Sequence, residues 1–248
     1  MEKITINAIS LDSGDLEILK STEDETKRQV TFQAYFKKFL KNEPECIAKA
    51  GGRVNLIGEH VDYPDVQFDA EQGAKLYSLG SAIQNNFLGA ISKRSDSEIH
   101  LYHLDAQESM VISIDQLEAY EQACKKEREE QVPQSQRCLP EWIPHTLGTI
   151  KNAIDKSNIK IGLNVLMTSN VPYGAGLSAS AANCSALTLC LNELFSLKLN
   201  TNLDIVTFAR ESENSVFAGG HCGWLDYQLI VQSKNNLLTQ VCYADNAI

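Results

Sequence analysis

The sequence lacks any apolar run long enough to cross a membrane, which argues against a membrane-spanning protein. It also lacks a Cys-x-x-Cys pair, although it contains seven cysteines. Because His100, His103 and His145 are not spaced with these cysteines as in a zinc motif, no zinc site is predicted. The odd number of cysteines, their scatter through apolar segments and the lack of a signal peptide predict free thiols in a reducing, cytoplasmic compartment.

Positive charge is scarce in this chain. The 22 lysines and arginines are outnumbered by 32 acidic residues, so the formal charge is −10 at pH 7. This balance argues against nucleic acid or an anionic membrane as a partner. The highly charged stretch 118–136 lacks the aromatic interleaving of a nucleic-acid surface, and we interpret it as a solvated helix or loop. With 248 residues, 43% of them apolar, the chain can bury a sizeable core.

A glycine-rich loop, residues 170–182, follows an apolar segment of strand length at 161–167. After it, residues 181–194 are rich in Ala and Leu and contain neither Gly nor Pro, which predicts the order strand, loop, helix. Glycines let the backbone approach a ligand, serines cap the helix or bind a ligand oxygen, and the first helical N–H groups attract an anion. The pattern predicts a phosphate-binding loop, with a simple turn and helix cap as the alternative.

The loop sequence distinguishes between the common phosphate-binding motifs. It is not Gly-x-Gly-x-x-Gly, and it does not end in Gly-Lys-Ser/Thr. It resembles the Pro-x-Gly-x-Gly-Leu-Ser-x-Ser-Ala loop of the GHMP small-molecule kinases, which include the galactokinases. The resemblance implies that ATP is bound and that its phosphates are held by Gly174, Ala175, Gly176, Leu177, Ser178, Ala179 and Ser180.

A second motif lies in residues 52–63, Gly-Arg-Val-Asn-Leu-Ile-Gly-Glu-His-Val-Asp-Tyr. It concentrates more ionisable side chains than a strand and its loop need for folding, which indicates a polar binding site, although each alone would fit a solvated edge charge. The segment resembles the galactokinase signature, with Val61 where the family has Thr or Ile. The resemblance implies that the sugar is bound by Glu59, His60 and Asp62, and that Arg53 lies beside the sugar and assists phosphoryl transfer.

A third motif, residues 222–226, reads Cys-Gly-Trp-Leu-Asp. An acidic residue in such a turn is also explained by a simple Asx turn. The motif resembles the Cys-Gly-Ile-Met-Asp-Gln turn of the galactokinases, with Tyr227 in place of the final Gln. The resemblance implies that Asp226 is the base at the anomeric hydroxyl and that Gly223 contacts the sugar. It also implies a Mg²⁺ site formed by Ser180 and Glu213, with Glu213 one residue farther from the turn than in typical members.

The remaining pattern predicts an α+β protein. We predict a strand or tail at 4–11, a surface loop at 12–28 with Thr22 or Asp24 as a helix cap, a helix at 30–40, two strands meeting at a sharp bend at Gly51-Gly52, a hairpin of strands 86–92 and 98–104, a strand at 110–114, helices at 142–154 and 203–217, and a closing strand at 237–243. The resemblance implies a GHMP kinase amino-terminal domain, similar to domain 2 of ribosomal protein S5, with helices on one face of a mixed sheet. Residues 1–29 would be an extension and 30–248 the domain.

The three motifs together cover about residues 30–245 and imply a sugar 1-kinase that transfers phosphate from ATP to the anomeric hydroxyl of galactose. N-acetylgalactosamine is the alternative substrate. A non-catalytic sensor of galactose and ATP, or an inactive fragment, are the alternatives to an enzyme. A polar insertion at 64–77 beside the sugar site leaves the exact sugar open. The family's carboxy-terminal domain is expected to be missing here, either because the sequence is truncated or because that half is supplied elsewhere.

Overall fold

A computed structural model describes residues 5–62 and 76–243. The strands in these ranges are β1 (Ile6–Ala8), β2 (Cys46–Ile57), β3 (Leu76–Lys93), β4 (Glu98–His103), β5 (Glu108–Ser113), β6 (Leu163–Ser169) and β7 (Thr239–Tyr243). The α-helices are α1 (Ser13–Lys20), α2 (Glu25–Leu40), α3 (Leu117–Glu129), α4 (Ile143–Ser157), α5 (Ala179–Phe195), α6 (Asn202–Glu213) and α7 (Leu225–Gln232). None of these helices is long and apolar enough to cross a membrane.

One mixed sheet contains these strands in the order β1, β5, β4, β6, β3, β2, and β7 pairs with the first part of β3. β6 lies between β3 and β4, antiparallel to β3 and parallel to β4. Each residue of β6 is buried, as expected for a strand with both faces covered. The glycine-rich loop after β6 therefore begins in the middle of the sheet.

Helices pack on both faces of the sheet. Leu187 of α5 packs with Phe87 and Met167 on one face, together with residues of α3 and α4. Phe32 of α2 packs with Leu88 on the other face, together with Leu19 of α1. Neighbouring β3 residues join different clusters because successive side chains of a strand point to opposite faces. The α+β class with a mixed sheet is confirmed, and the expectation of helices on a single face is corrected.

The amino-terminal segment is helical where a surface loop was expected. Asp12 caps α1, since its Oδ1 accepts the N–H of Gly14 at 2.9 Å. Asp24 caps α2, as predicted, and its Oδ1 accepts the N–H of Lys27 at 2.8 Å. The charged sequence of this region did not indicate the short helix α1, whose Leu19 is fully buried.

Arg28 of α2 connects three elements from a fully buried position. Its Nε donates to the carbonyl oxygen of Leu19 in α1 at 2.6 Å, and its Nη1 donates to Asn86 Oδ1 in β3 at 2.6 Å. Nη2 donates to the carbonyl oxygen of Asn86 at 3.2 Å. A buried guanidinium is tolerated here because its donors have partners.

Two predicted strand connections are wrong. The segments 86–92 and 98–104 lie in β3 and β4, but they do not form a hairpin because β6 is inserted between them. Gly51-Gly52 does not separate two strands; β2 is continuous and shifts its register against β3 between Gly51 and Arg53, as at a β-bulge. The predicted insertion 64–77 lies outside the described residues up to position 75, and its last two residues begin β3.

The other predicted elements are confirmed with shifted ends, namely β5, β6, β7, α2, α4, α5 and α6. The charged stretch 118–136 contains α3, which buries Tyr120 and Cys124 against the core. α7 was not predicted, because the pattern around residues 222–228 indicated only a turn.

Candidate functional site

The glycine-rich loop connects β6 to the start of α5, as the sequence predicted. Gly174 and Gly176 have φ angles of +70° and +71°, which residues other than glycine adopt only at a cost in free energy. A Cβ added at either position would meet no atom within 4 Å among the described residues, so the backbone here borders open space. Such a loop leaves room for a ligand to lie directly against the peptide groups.

Ser178 precedes the first residue of α5, but its side chain does not cap the helix. Its Oγ instead makes a short hydrogen bond to Asp226 Oδ2. The interpretation of this serine as a simple cap is therefore wrong, and the loop is tied to the third sequence motif.

β2 approaches the same loop so closely that glycine is required at position 52. A Cβ there would lie 2.7 Å from the carbonyl oxygen of Leu177. The next residue, Arg53, donates its backbone N–H to this oxygen at 3.0 Å. The strand thus holds the Arg53 side chain at the mouth of the loop.

Arg53 joins the three sequence motifs. Its Nε donates to Asp226 Oδ1 at 2.6 Å, and its Nη1 donates to the carbonyl oxygen of Gly176 at 2.6 Å. Both side chains of the ion pair are partly exposed, at 17% for Arg53 and 28% for Asp226. With Ser178 on its second oxygen, the Asp226 carboxylate is held in a fixed orientation beside the loop.

Asp62 is brought next to the turn that carries Asp226. Its Oδ2 accepts the backbone N–H of Leu225, the first residue of α7, at 2.7 Å. A Cβ added at Gly223 would lie 2.0 Å from the same oxygen, so only glycine fits there. The second and third motifs therefore meet at Asp62 as well as at Arg53.

Glu59 and His60 lie in the turn after β2, between Arg53 and Asp62, and both are exposed. His60 has a φ of +59°, and Gly58 before it has a φ of +84°. The turn leads into residues outside the described ranges.

A cleft of about 340 Å³ opens at the loop. Arg53, Ser178 and Ser180 line it together with the loop backbone. Sequence reasoning missed four further lining residues, which are Glu141, Trp142, His145 and Asn183. Among the described residues, the Oδ1 of Asn183 has no hydrogen-bond partner although the side chain is buried. A helical Asn, one turn after Ser180, carries no sequence signal that separates a cleft residue from a core residue.

Glu213 is 5% exposed at the end of α6. Its Oε2 accepts a short hydrogen bond from the hydroxyl of Tyr227, and its Oε1 lies 3.7 Å from His145 Nε2. Burial, with the nearby Cys184, Glu213 and Cys222, raises the pKa of Tyr227 well above its usual value. Tyr227 therefore keeps its hydroxyl proton, which it donates to Glu213.

His103 lies beneath the loop, with Nε2 3.3 Å from the hydroxyl of Tyr173 and its ring 5.2 Å from that of Trp142. Burial lowers its pKa, and Asp105 and Glu108 oppose that shift only in part. The folded protein therefore holds this imidazole neutral at pH values where the unfolded chain, with a histidine pKa of about 6.5, binds a proton.

This burial predicts a pH-dependent loss of stability. As the pH falls below about 6.5, His103 binds a proton in the unfolded chain but stays neutral in the folded protein. The free energy of unfolding therefore decreases by up to about 1.4 kcal/mol per pH unit. Urea unfolding at pH 7.5 and 5.5 would measure the loss, and His103→Gln should lose about 1 kcal/mol less than wild type between these pH values. His100→Gln, on the same strand but beside Glu98, is the control. An unchanged pH dependence in His103→Gln would contradict the assignment.

The segments that carry these motifs resemble those of known proteins. Residues 145–234 match the family described as the GHMP kinases N terminal domain, and residues 33–67 match the galactokinase galactose-binding signature. The chain is thus similar to the amino-terminal domain of the GHMP kinases over these residues, and the second match is to a signature of the galactokinases.

Curated galactokinases are similar to this chain over most of its length. Galactokinase of Clostridium acetobutylicum is 31% identical over 205 residues, which cover 81% of this chain and 45% of the relative. Galactokinase of Staphylococcus carnosus is 29% identical over 209 residues, which cover 83% of this chain and 46% of the relative. The chain thus spans about half the length of the curated relatives it matches.

Solved structures share the fold. Lactococcus lactis galactokinase complexed with galactose matches with a TM-score of 0.60 at 21% identity, over 83% of this chain and 47% of that one. Methanococcus jannaschii mevalonate kinase matches with a TM-score of 0.56 at 18% identity, over 79% and 53%. At such identities the likeness establishes the architecture of the domain and not its substrate.

Proposed function

We propose that this chain is the amino-terminal half of an ATP-dependent galactokinase that phosphorylates galactose at its anomeric hydroxyl. The observation that carries the proposal is the contact of Arg53 with both Asp226 and the carbonyl oxygen of Gly176. This contact joins a candidate sugar-binding residue, a candidate base and the phosphate loop at one cleft. A simple turn or helix cap needs no such convergence.

Asp226 is the proposed base. The anomeric oxygen of the sugar attacks the γ-phosphorus of ATP, the bond to the leaving ADP oxygen breaks, and Asp226 takes or orients the hydroxyl proton. Arg53 and Ser178 fix the two carboxylate oxygens and so define the direction in which a proton is accepted. The Arg53 guanidinium also offsets negative charge on the transferring phosphoryl group. Phosphoryl transfer relies on this kind of positioning and electrostatic stabilisation.

The triphosphate is proposed to lie along residues 174–180, where the glycine backbone borders open space and α5 begins. The N–H groups of the first helical turn and the positive end of the helix dipole favour an anion at this point. Trp142 and His145 also line this cleft.

Mg²⁺ is proposed to be held by the hydroxyl of Ser180 and the carboxylate of Glu213. Both are oxygen donors of the type that Mg²⁺ prefers, and the buried Glu213 carboxylate has its second oxygen next to His145, at the cleft wall. When bound with ATP, the ion neutralises charge on the phosphate oxygens. Tyr227 holds the Glu213 side chain in place, which gives the unusual Tyr at this position a role.

The sugar is proposed to bind through Glu59, His60, Asp62 and Gly223. Asp62 and Gly223 support this because they are in contact beside Asp226, where a sugar hydroxyl must lie for transfer. Asp62 already uses one oxygen for the Leu225 N–H, which leaves the other for a sugar hydroxyl.

The wider organisation is also part of the proposal. Residues 30–248 are proposed to form the GHMP kinase amino-terminal domain, and 1–29 an extension whose described part adds β1, α1 and the start of α2 to the same sheet and core. The carboxy-terminal domain, which the relatives' extra length would supply, completes the cleft. The enzyme acts in the cytoplasm on galactose and ATP, without nucleic acid or membrane as a partner; the seven free cysteines fit a reducing compartment.

A coupled ADP-release assay tests this function. The chain is mixed with Mg²⁺, ATP and either galactose or N-acetylgalactosamine. The proposal expects ADP release that depends on galactose and exceeds the rate with N-acetylgalactosamine. Faster release with N-acetylgalactosamine would reassign the substrate, whereas binding of both ligands without ADP release would favour a sensor or a half-site.

Tyr227→Phe should destabilise the protein by about 1–3 kcal/mol, because it leaves the buried Glu213 carboxylate without this donor. It should also weaken Mg²⁺-dependent binding of ATP, measured by calorimetry at several Mg²⁺ concentrations. Tyr243→Phe is the control, since the Tyr243 hydroxyl has no hydrogen-bond partner among the described residues. Equal stability of the two variants would show that the hydroxyl of Tyr227 does not hold Glu213.

A further inference from the structure

Two cysteines and a glutamate come together far from the phosphate loop in sequence. Cys124 and Glu127 lie three positions apart on α3, and therefore on one face of the helix. Cys138 lies in the segment that returns from α3 toward α4. The two Sγ atoms and a carboxylate oxygen of Glu127 all lie within 4.8 Å of one another, and no other such group of three occurs among the described residues.

The return segment is held in this position by its own backbone. The N–H of Cys138 donates to Glu127 Oε1 at 2.8 Å, and the N–H of Val132 donates to the carbonyl oxygen of Glu127 at 2.8 Å. Leu139, the next residue, is 2% exposed and packs in the core. The proximity of the three side chains is therefore set by the fold and not by free loop geometry.

Two arginines lie near these three side chains, and each donates a hydrogen bond to a backbone carbonyl oxygen. Arg137 donates through Nε to the carbonyl oxygen of Val132 at 3.0 Å. Arg128 donates through Nη1 to the carbonyl oxygen of Phe217 at 2.8 Å. Both guanidinium groups thus have backbone partners of their own, and neither of these contacts uses the Glu127 carboxylate.

We propose that Cys124, Glu127 and Cys138 bind a zinc ion. Two thiolates and one carboxylate are ligands that Zn²⁺ accepts, and thiolates select it over Mg²⁺ or Ca²⁺. Tetrahedral bonds of about 2.3 Å to sulfur place two ligand sulfurs about 3.8 Å apart, so small side-chain rotations bring the group to that geometry. Water occupies the fourth position.

A cavity of about 180 Å³ beside the group gives the ion access. Cys124 and Glu127 line it together with Gln134, Arg137 and Glu141. Bound zinc would cross-link α3, through Cys124 and Glu127, to the segment after it, through Cys138. This segment leads to Trp142, which lines the cleft at the phosphate loop. No zinc site was predicted from the sequence because a helical Cys-x-x-Glu with a distant Cys contains neither a Cys-x-x-Cys pair nor histidines at zinc-motif spacing.

The test is a titration of the reduced, metal-stripped chain with Co²⁺, followed by Zn²⁺. The proposal expects one Co²⁺ per chain, with the visible absorption of a tetrahedral site and the charge-transfer band of two thiolates, and displacement by Zn²⁺. Zn²⁺ should raise the melting temperature. In Cys124→Ser and Cys138→Ser the charge-transfer band should fall to that of one thiolate or disappear, and Glu127→Gln should keep it with at least about tenfold weaker binding.

Cys242→Ser, which changes an exposed cysteine, is the control and should bind as wild type does. Circular dichroism before each titration ensures that folded variants are compared. No cobalt band in the reduced wild type would overturn the proposal, as would an unchanged band in both Cys124→Ser and Cys138→Ser. If air oxidation removes two thiols and the reduced chain binds no Co²⁺, the pair forms a disulfide and the zinc site is refuted.

Discussion

Asp226→Asn should lower kcat for galactose-dependent ADP release by about 10²–10⁴-fold, the usual contribution of a general base. The substitution keeps the size of the side chain and a hydrogen-bond acceptor for Ser178, but it removes the charge that pairs with Arg53 and the group that accepts the proton. The KM for ATP should change far less than kcat, because the phosphates are proposed to bind to the loop and α5.

Asp155→Asn is a matched control, since it removes an exposed carboxylate that pairs with Lys151 on α4. The two variants are compared by coupled ADP release over a range of galactose concentrations. If Asp226→Asn retains more than about a tenth of the wild-type kcat, Asp226 is not the base. A rise in the KM for galactose with kcat unchanged would limit Asp226 to binding the sugar.

Arg28→Met should lower the free energy of unfolding by about 3–5 kcal/mol. The methionine keeps most of the side-chain volume but leaves the carbonyl oxygen of Leu19 and the Oδ1 of Asn86 without their Arg28 donors in a buried place. The carbonyl oxygen of Asn86 loses one of two donors and keeps the N–H of Asn170. For a chain of this size the loss corresponds to a decrease in Tm of roughly 6–20 °C. Urea unfolding at pH 7.5 measures it.

Lys27→Met provides the comparison on the same helix. Lys27 is exposed, so its substitution should change the free energy of unfolding by no more than about 0.5 kcal/mol. Similar losses in the two variants would mean that the hydrogen bonds of Arg28 do not connect α1, α2 and β3 as described.

The parts of the fold that could be predicted from sequence are those fixed by local chemistry. The loop at 170–182 stood out because glycines separate an apolar strand from a helix without Gly or Pro, and the structure places β6 and α5 there. The Asp24 cap was predictable because the capping hydrogen bond spans only three residues.

Strand pairing could not be predicted in the same way. The charged turn between 86–92 and 98–104 fits a hairpin, yet β6 comes from about 70 residues later to lie between these strands. An alternating pattern fixes which residues of a strand face the core, but it does not fix which strand lies alongside. α1 was hidden for a related reason, since a short helix stabilised by packing has little signal of its own.

For the candidate site, sequence motifs named the residues and the fold supplied their contacts. Arg53 and Asp226 lie 173 positions apart, and only the meeting of β2 with the turn before α7 joins them. The interaction of Tyr227 with Glu213 was not predictable, because a Tyr in place of the family's Gln has no meaning until its hydroxyl is placed. His145 and Asn183 belong to none of the three sequence motifs, and only their position in the cleft identifies them as candidate site residues.

Calorimetric titration of the chain with galactose, in the presence and absence of Mg²⁺ and ATP, measures whether this domain carries the sugar and ATP sites at one cleft. We expect one galactose site per chain, one ATP site that needs Mg²⁺, and weaker galactose binding in Asp62→Ala. If neither galactose nor ATP binds to the folded chain, or if Asp62→Ala leaves galactose binding unchanged, the proposed site is wrong.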